Sequence, residues 1–156
     1  MAEETVKQDV KQADDAEKQE QLGRLIIGSD STAIVEVKKY KFKIHYPSVL
    51  EGLKVQVVAK NLRKDVENDD DFELKLQTTI LATFDVICEE IIKVGEKDEI
   101  LTLKDDRGNS IRKLKFIEFV DKIKDPMVWT KLVLPLFDQY LKFSSDIAIK
   151  ENELKN

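Results

Sequence analysis

The segment from residue 126 to about residue 143 carries more apolar surface than one side of a helix can bury. Asp125 followed by Pro126 places a cap residue ahead of a proline at the first helical position, which predicts a helix start. At about 100° per residue, its apolar side chains spread over an arc of roughly 220°. They are Met127, Trp129, Leu132, Val133, Leu134, Leu136, Phe137, Tyr140 and Leu141. A surface helix usually shows an apolar arc of little more than about 100°, so this helix must be covered on two sides, by its own domain or by a partner.

Two further signals lie within and after this helix. Pro135 predicts a kink and one missing backbone hydrogen bond, because proline has no N–H to donate. Ser144, Ser145 and Asp146 offer a break, so we expect the helix to end near Phe143 and residues 147–156 to form a polar C-terminal tail.

Upstream, period-two alternation predicts a short β segment over residues 33–46. One face carries Tyr40, Phe42, Ile44 and Tyr46, and the other carries Lys39, Lys41, Lys43 and His45. Val35 and Val37 are out of phase with the aromatic face, which favours a hairpin that reverses near Lys38 and Lys39, or else a bulge.

Three further helices are predicted between this β segment and residue 126. Ser48 and Glu51 form a capping-box pattern that opens a helix over about 48–63. Its expected core positions are Val49, Leu53, Val57 and Leu62, although the Val-rich stretch 53–59 leaves a strand open as an alternative.

The second of these helices, over about 72–94, begins at the capping box from Asp70 to Glu73. It shows the most regular helical stripe, which consists of Leu76, Ile80, Leu81, Phe84, Ile87, Cys88 and Ile91. A surface turn at 105–109 precedes the third, over about 110–123.

These elements predict a mainly α protein of the α+β class, with a small N-terminal β-hairpin followed by a compact bundle of about four helices. The length of 156 residues predicts one globular domain, which we place at 31–146. Residues 1–30 are dominated by Glu, Asp, Gln and Lys, so we expect a flexible, acidic, partly helical arm.

Composition narrows the class of protein further. Hydrophobic residues make up 42% and charged residues 37%, with a net charge of -5. No apolar run reaches the roughly 18 residues of a membrane span, and the N-terminus is acidic where a secretory signal is basic. We therefore expect a soluble cytoplasmic protein. One cysteine and one histidine are too few for an internal disulfide or a structural zinc site.

Motifs for catalysis are missing, which predicts a protein that is not an enzyme and has no cofactor. Glycine-rich phosphate loops, nucleophile elbows and paired-histidine metal motifs do not occur. His45 is interpreted as a surface residue and Cys88 as an inert core thiol. The run Asp69–Asp71 lacks the alternating ligands of a calcium loop and is better explained as helix capping.

The basic strand face does not predict nucleic-acid binding. Lys39, Lys41 and Lys43 point away from Tyr40 and Phe42, whereas stacking of bases requires aromatic and basic groups on one surface. We therefore expect neither nucleic acid nor membrane as a partner.

An interaction protein remains as the hypothesis. The surplus apolar surface of the C-terminal helix and the aromatic strand face predict a partner-binding surface, although the same arc is also explained as core. The predicted contact residues are Trp129, Leu134, Phe137, Leu141, Tyr40 and Phe42.

Three short segments carry a family resemblance over about residues 33–143. They are Lys43-Ile44-His45-Tyr46-Pro47-Ser48, Thr83-Phe84-Asp85-Val86-Ile87 and Asp125-Pro126-Met127-Val128-Trp129. With the order of elements around them, the chain resembles the tail assembly chaperones of long-tailed, siphovirus-like bacteriophages.

The resemblance implies a small oligomeric protein that binds the tape-measure protein and keeps it soluble during tail assembly. It also makes the tail tube protein a second candidate partner. A head–tail connector or tail-completion subunit, and a small intracellular adaptor, are the alternative functions.

Overall fold

The computed structural model describes residues 15–21, 31–66 and 71–155. Within these ranges the protein is a mixed α+β structure with two antiparallel sheets. The elements in chain order are α1 (15–21), β1 (Thr32–Val37), β2 (Tyr40–His45), α2 (Val49–Leu62), α3 (Phe72–Ile87), β3 (Cys88–Lys93), β4 (Glu99–Ile100), β5 (Thr102–Lys104), β6 (Ser110–Lys113), α4 (Phe116–Lys122), a π-helical turn (Trp129–Val133) and α5 (Leu134–Lys155).

The larger sheet has the strand order β1-β2-β3-β4, and every pair in it is antiparallel. The chain reverses between β1 and β2 at Lys38 and Lys39, and Lys38 adopts a left-handed φ of 57°. This reversal places Val35 opposite Phe42, so side chains that were out of phase along the chain lie on the same face. The two strands are thus half of a larger sheet and not a separate unit beside a bundle.

The main core lies between one face of this sheet and the helices α3, α4 and α5. Phe42 of β2 contacts Phe116 and Phe119 of α4, with ring centroids 5.9 and 5.8 Å apart. Phe84 of α3 joins Phe116 at 5.2 Å and Tyr140 of α5 at 5.8 Å. This aromatic cluster connects the sheet to all three helices.

Helix α2 lies outside this core and packs on the opposite side of α3. Ile80, Phe84 and Ile87 of α3 face the main core, whereas Ala82 faces α2 and packs with Val55 and Ala59. At about 100° per residue, Ala82 points roughly opposite to Ile80 and Phe84 on α3. Helix α3 therefore separates α2 from the sheet.

The predicted bundle of about four helices is wrong in three places. The helix expected at 72–94 ends at Ile87, and β3 follows because Ile91 and its neighbours pair with the free edge of β2. The helix expected at 110–123 is strand β6 followed by the short α4, since residues after the 105–109 turn pair back with β5. The C-terminal helix continues to Lys155.

The serines at 144 and 145 do not break the last helix, because serine is only weakly unfavourable in a helix interior, and α5 runs through both of them. The polar tail expected at 147–156 is thus helical through residue 155. Near Pro135 the chain forms a π-helical turn in which Leu134 N–H bonds Trp129 C=O. Such a turn accommodates the proline ring without ending the helix.

Two helix starts can be compared with their capping predictions. Ser48 caps α2 in a complete capping box with Glu51, as predicted, and the stretch 53–59 is helical. At α3 the cap is Asp71 and not Asp70; its carboxylate accepts from the N–H groups of Glu73 and Leu74. Asp69, Asp70 and most of the 1–30 arm lie outside the described residues, and 15–21 is helical.

Candidate protein-binding surface

Helix α2 is apolar on two opposite faces. Its inner face holds Val55, 6% exposed, and Ala59, fully buried, against α3. Its outer face carries four large apolar side chains that are strongly exposed: Val49 at 85%, Leu50 at 71%, Leu53 at 61% and Val57 at 61%. We call these four residues the α2 outer face. Val49, Leu53 and Val57 are four residues apart and form one ridge along the helix.

The expected core positions of α2 are therefore wrong. Val49, Leu53, Val57 and Leu62 were predicted to face inward, but all four are exposed, Leu62 at 37%. The close approach of α2 to α3 explains the inversion. Ala59 and Ala82 are both fully buried, and two small side chains allow the helices to meet at the alanine faces. The larger side chains are left outside.

The first turn of α2 is fixed to the end of the sheet. Glu51 accepts a hydrogen bond from the Ser48 backbone N–H at 3.1 Å, and its Oε2 lies 2.5 Å from Nε2 of His45 on β2. Burial raises the pKa of Glu51, but the bonds from Ser48 and His45 more than offset this, so its pKa lies below the usual value. Oε1 of Glu89 on β3 lies 3.2 Å from His45 Nδ1, in ion-pair range without hydrogen-bond geometry.

The far end of α2 is fixed as well. Arg63, at the C-cap, donates from Nη1 to the hydroxyl oxygen of Thr78 on α3 at 2.8 Å. With the Glu51–His45 contact at one end, the Arg63–Thr78 bond at the other and the alanine contact between them, α2 is held at three points. The α2 outer face is thus presented on a fixed helix, which limits the entropy lost when it binds a partner.

Basic side chains border the α2 outer face. Lys54, Lys60 and Lys64 are exposed, and residues 48–64 contain four basic residues and one acidic residue. The whole chain has a net charge of -5. The α2 surface is therefore basic within an acidic protein and suits a partner that is both apolar and acidic.

The six contact residues predicted from the sequence lie in different environments. Phe42 is fully buried in the core and is not available to a partner. Trp129, Phe137 and Tyr40 are half-buried and pack against the core. Leu134 and Leu141 are on the surface, 37% and 48% exposed.

The exposed leucines of α5 do not form a continuous apolar patch. At about 100° per residue, Leu134 and Leu141 lie on the same helix face as Asp138 and Ser145. Single apolar residues among polar ones are common on protein surfaces and indicate no binding site. The C-terminal arc is mainly core, since Leu132, Val133 and Leu136 are buried.

The sequence contained a signal for the α2 outer face. Val55, Val58 and Ala59 are apolar on one side of the helix, and the positions four apart from Val49 to Val57 are apolar on the other. Like the C-terminal helix, α2 has apolar side chains on more sides than one neighbour can cover, so its sequence also predicts a face that needs a partner.

The side chains considered for catalysis or ligand binding make contacts within the fold instead. Cys88 is half-buried where α3 meets β3, and burial raises the pKa of its thiol to about 12, which keeps it protonated and unreactive. Lys41 and Lys43 lie 3.6 Å from Asp98 and Glu89, respectively. His45 lies between two carboxylates. In the described ranges 15–21, 31–66 and 71–155, no group of three acidic, histidine or cysteine side chains is arranged to hold a metal ion.

No helix within the described ranges has the length and apolar character that a membrane crossing requires. No protein family, curated protein or solved structure matches the chain.

Proposed function

We propose that this protein is a non-catalytic binding protein that holds an amphipathic helix of another chain against the α2 outer face. The observation that carries the proposal is the ridge of Val49, Leu53 and Val57 with Leu50 beside it, each more than half exposed on a helix fixed at three points. An amphipathic helix laid into an apolar ridge-and-groove surface is a recurring mode of polypeptide recognition.

The free energies of burial and association favour a partner that is both apolar and acidic. Fully burying a Val or Leu side chain contributes about 1.5–3 kcal/mol, and association costs about 4–15 kcal/mol in lost freedom and ordering. Four side chains together contribute about 6–12 kcal/mol, which is similar in size to that cost and leaves little surplus for affinity. Acidic groups near Lys54, Lys60 and Lys64 would add attraction and speed the encounter, so we propose a partner helix with acidic residues along its apolar stripe.

For the identity of the client we propose the tape-measure protein of a long-tailed bacteriophage, with the tail tube protein as a second client. In this proposal the chain is a tail assembly chaperone that acts in the host cytoplasm, forms a homo-oligomer and keeps the tape-measure protein soluble until the tail tube forms around it. The resemblance in the strand–helix junction, in α3 and before the last helix supports this choice. An apolar ridge with a charged border meets the physical requirement, since a long amphipathic client must be covered and kept in solution.

The alternative proposals differ in what happens after assembly. A head–tail connector or tail-completion subunit would remain in purified virions, whereas a chaperone would be absent from them. A small intracellular adaptor would be encoded away from tail genes. Mass spectrometry of purified particles and inspection of the neighbouring genes separate the three functions.

Co-expression with the tape-measure protein of the same genome tests the proposal. The chaperone should increase the soluble fraction of that client and co-purify with it at modest salt. Replacing Leu53 and Val57 with serine should abolish both effects while the far-UV spectrum and unfolding midpoint stay unchanged, because both side chains are exposed.

The matched control replaces Leu134 and Leu141 with serine on α5. These leucines are also exposed but lie among polar side chains, so the control should keep the client soluble. If the α5 variant loses binding and the α2 variant keeps it, the client-binding surface lies on the C-terminal helix and not on α2. Full binding in both variants would exclude Leu53 with Val57 as well as Leu134 with Leu141, and would defeat the proposal.

A further inference from the structure

A cleft of about 450 Å³ opens between the large sheet, β5 and α4, apart from the α2 outer face. Its floor is apolar and is formed by Tyr40, Leu101, Leu114, Phe119 and Ile123. Leu114 and Phe119 are 6% and 3% exposed, and the Tyr40 ring meets the Phe119 ring edge-on at 4.9 Å. Ligand clefts in proteins have volumes of about 300–1,000 Å³ and combine apolar walls with a few polar groups, and here the other lining residues are Lys93, Glu99, Thr102, Lys104 and Lys122.

The register of the sheet builds one wall of the cleft. Tyr40 pairs with Lys93 across β2 and β3, and Lys93 pairs with Glu99 across β3 and β4. Directly opposed residues of antiparallel strands share a face, so this row points toward α4. On α4 and just beyond it, Phe119, Lys122 and Ile123 are three and four residues apart and present a single surface to the cleft.

Three lysines line the cleft without a partner among the described residues. Lys93, Lys104 and Lys122 are exposed, and none makes an ion pair or a side-chain hydrogen bond with any residue in the described part of the chain. Other lysines nearby are paired: Lys41 lies 3.6 Å from Asp98, and Lys113 lies 2.6 Å from Glu90. With Glu99 as the one acidic lining residue, the cleft carries three positive charges and one negative charge, a balance of +2.

We propose that this cleft binds a small amphiphilic anion, in which an apolar body carries one carboxylate or phosphate group. The apolar body occupies the floor between Tyr40 and Phe119, and the anionic group lies at the rim among Lys93, Lys104 and Lys122. A positive rim above a low-dielectric floor concentrates the field and attracts such ions even to an acidic protein. The proposal does not depend on the partner of α2, because the two surfaces share no residue.

Amide chemical-shift mapping on the full chain tests the proposal with octanoate, octyl phosphate and octan-1-ol. These probes share one alkyl chain and differ in the head group. Either anion should give saturable shifts at residues of the cleft, with a dissociation constant at least about tenfold lower than that of octan-1-ol. Comparing octanoate with octyl phosphate identifies which head group fits better.

The test variant is Lys93→Gln with Lys104→Gln and Lys122→Gln. The matched control is Lys54→Gln with Lys60→Gln and Lys64→Gln, in α2 and in the turn that follows it. Both remove three exposed positive charges, so the change in net charge is the same. The cleft variant should bind the anions about tenfold more weakly or worse, and the control should bind within about twofold of the original chain. Equal affinity for octan-1-ol, equal loss in both variants, shifts confined to α2 or no saturable shift would each overturn the proposal.

Discussion

Helix α2 and the C-terminal helix are both apolar on more than one side, yet the structure covers only one of them. In the C-terminal region, Leu132, Val133 and Leu136 lie between the sheet and α3 and are at most 5% exposed. In α2, one neighbour among the described elements covers one face, and the side chains of the α2 outer face are exposed. A wide apolar arc therefore shows that a helix needs cover on two sides, but the position of the helix in the topology decides whether its own chain supplies it.

A leucine-to-alanine substitution in each helix gives the largest expected difference in the free energy of unfolding. Leu136→Ala should lower the free energy of unfolding by about 2–5 kcal/mol, because it leaves a cavity in the main core. Leu136 is fully buried, whereas Leu53 is 61% exposed. Leu53→Ala should change the free energy by no more than about 0.5 kcal/mol. Urea unfolding of the two variants and the original chain, followed by circular dichroism, measures both effects.

A comparable loss in the two variants would contradict the assignment of faces on α2. In that case Leu53 would be covered in solution, either by its own chain or by a second copy. Repeating the Leu53→Ala measurement over a range of protein concentrations separates these two cases, because only self-association depends on concentration.

The contact between α2 and α3 gives the next largest effect. Ala59 and Ala82 are both fully buried where the two helices meet. Ala59→Leu should destabilise the protein by about 1–3 kcal/mol, because the added atoms have no space at this contact. Thermal unfolding measures the loss, and Ala148→Leu on the exposed side of α5 is the control, with little expected effect.

A normal stability for Ala59→Leu would mean that α2 can move away from α3. The α2 outer face would then not be held in place, and it would not be a preorganised binding surface. Hydrogen exchange of the α2 amides in the same variant shows whether the helix has loosened.

Acid should act on the N-terminal attachment of α2. The pKa of Glu51 in the folded chain lies below its usual value of 4.5. Its contribution to stability is therefore complete above the unfolded pKa and is lost as the pH falls through the lower, folded pKa. Glu51→Gln keeps the capping box but loses the carboxylate contact with His45, so it should cost about 1 kcal/mol at neutral pH. The difference from the original chain should shrink below about pH 4.5.

Urea unfolding at several pH values measures this difference. Glu73→Gln, in the first turn of α3, is the control for loss of a carboxylate near a helix start. A difference that stays constant or grows toward low pH would show that Glu51 does not anchor α2 as a carboxylate. His45, which contacts both Glu51 and Glu89, is present in the original chain and in both variants.

Local sequence signals predicted the starts of elements better than their ends. The capping box of Ser48 and Glu51 and the turn at 105–109 depend on residues close in sequence, and both are present. At Asp105 one carboxylate accepts from the N–H groups of Arg107 and Asn109, at 2.9 and 2.8 Å, which is readable from the residue types alone.

The errors arise where a distant strand decides the outcome. The stripe from Leu76 to Ile91 continues across Cys88 with helical spacing, but β2 offers a free edge of backbone hydrogen bonds, and the chain becomes a strand. A helix and a strand would both bury Ile91, so the spacing of apolar residues could not distinguish the two structures. Likewise, nothing near Ala59 in sequence shows that Ala82 will pack against it.

Substitution of Gly52 has the smallest expected effect on stability and tests stability and partner binding together. Gly52 lies in the first turn of α2, directly before Leu53, and a Cβ placed there would meet no atom within 4 Å. Gly52→Ala should therefore stabilise the protein by about 0.5–1 kcal/mol, because alanine loses less backbone entropy in a helix. If a partner helix approaches α2 closely at this point, the same methyl group should weaken binding while stability rises. Thermal unfolding and client co-purification of one variant measure both effects. Unchanged binding with higher stability would mean that the partner contacts α2 nearer to Val57 than to Gly52. Lower stability would mean that the space around Gly52 is filled in solution.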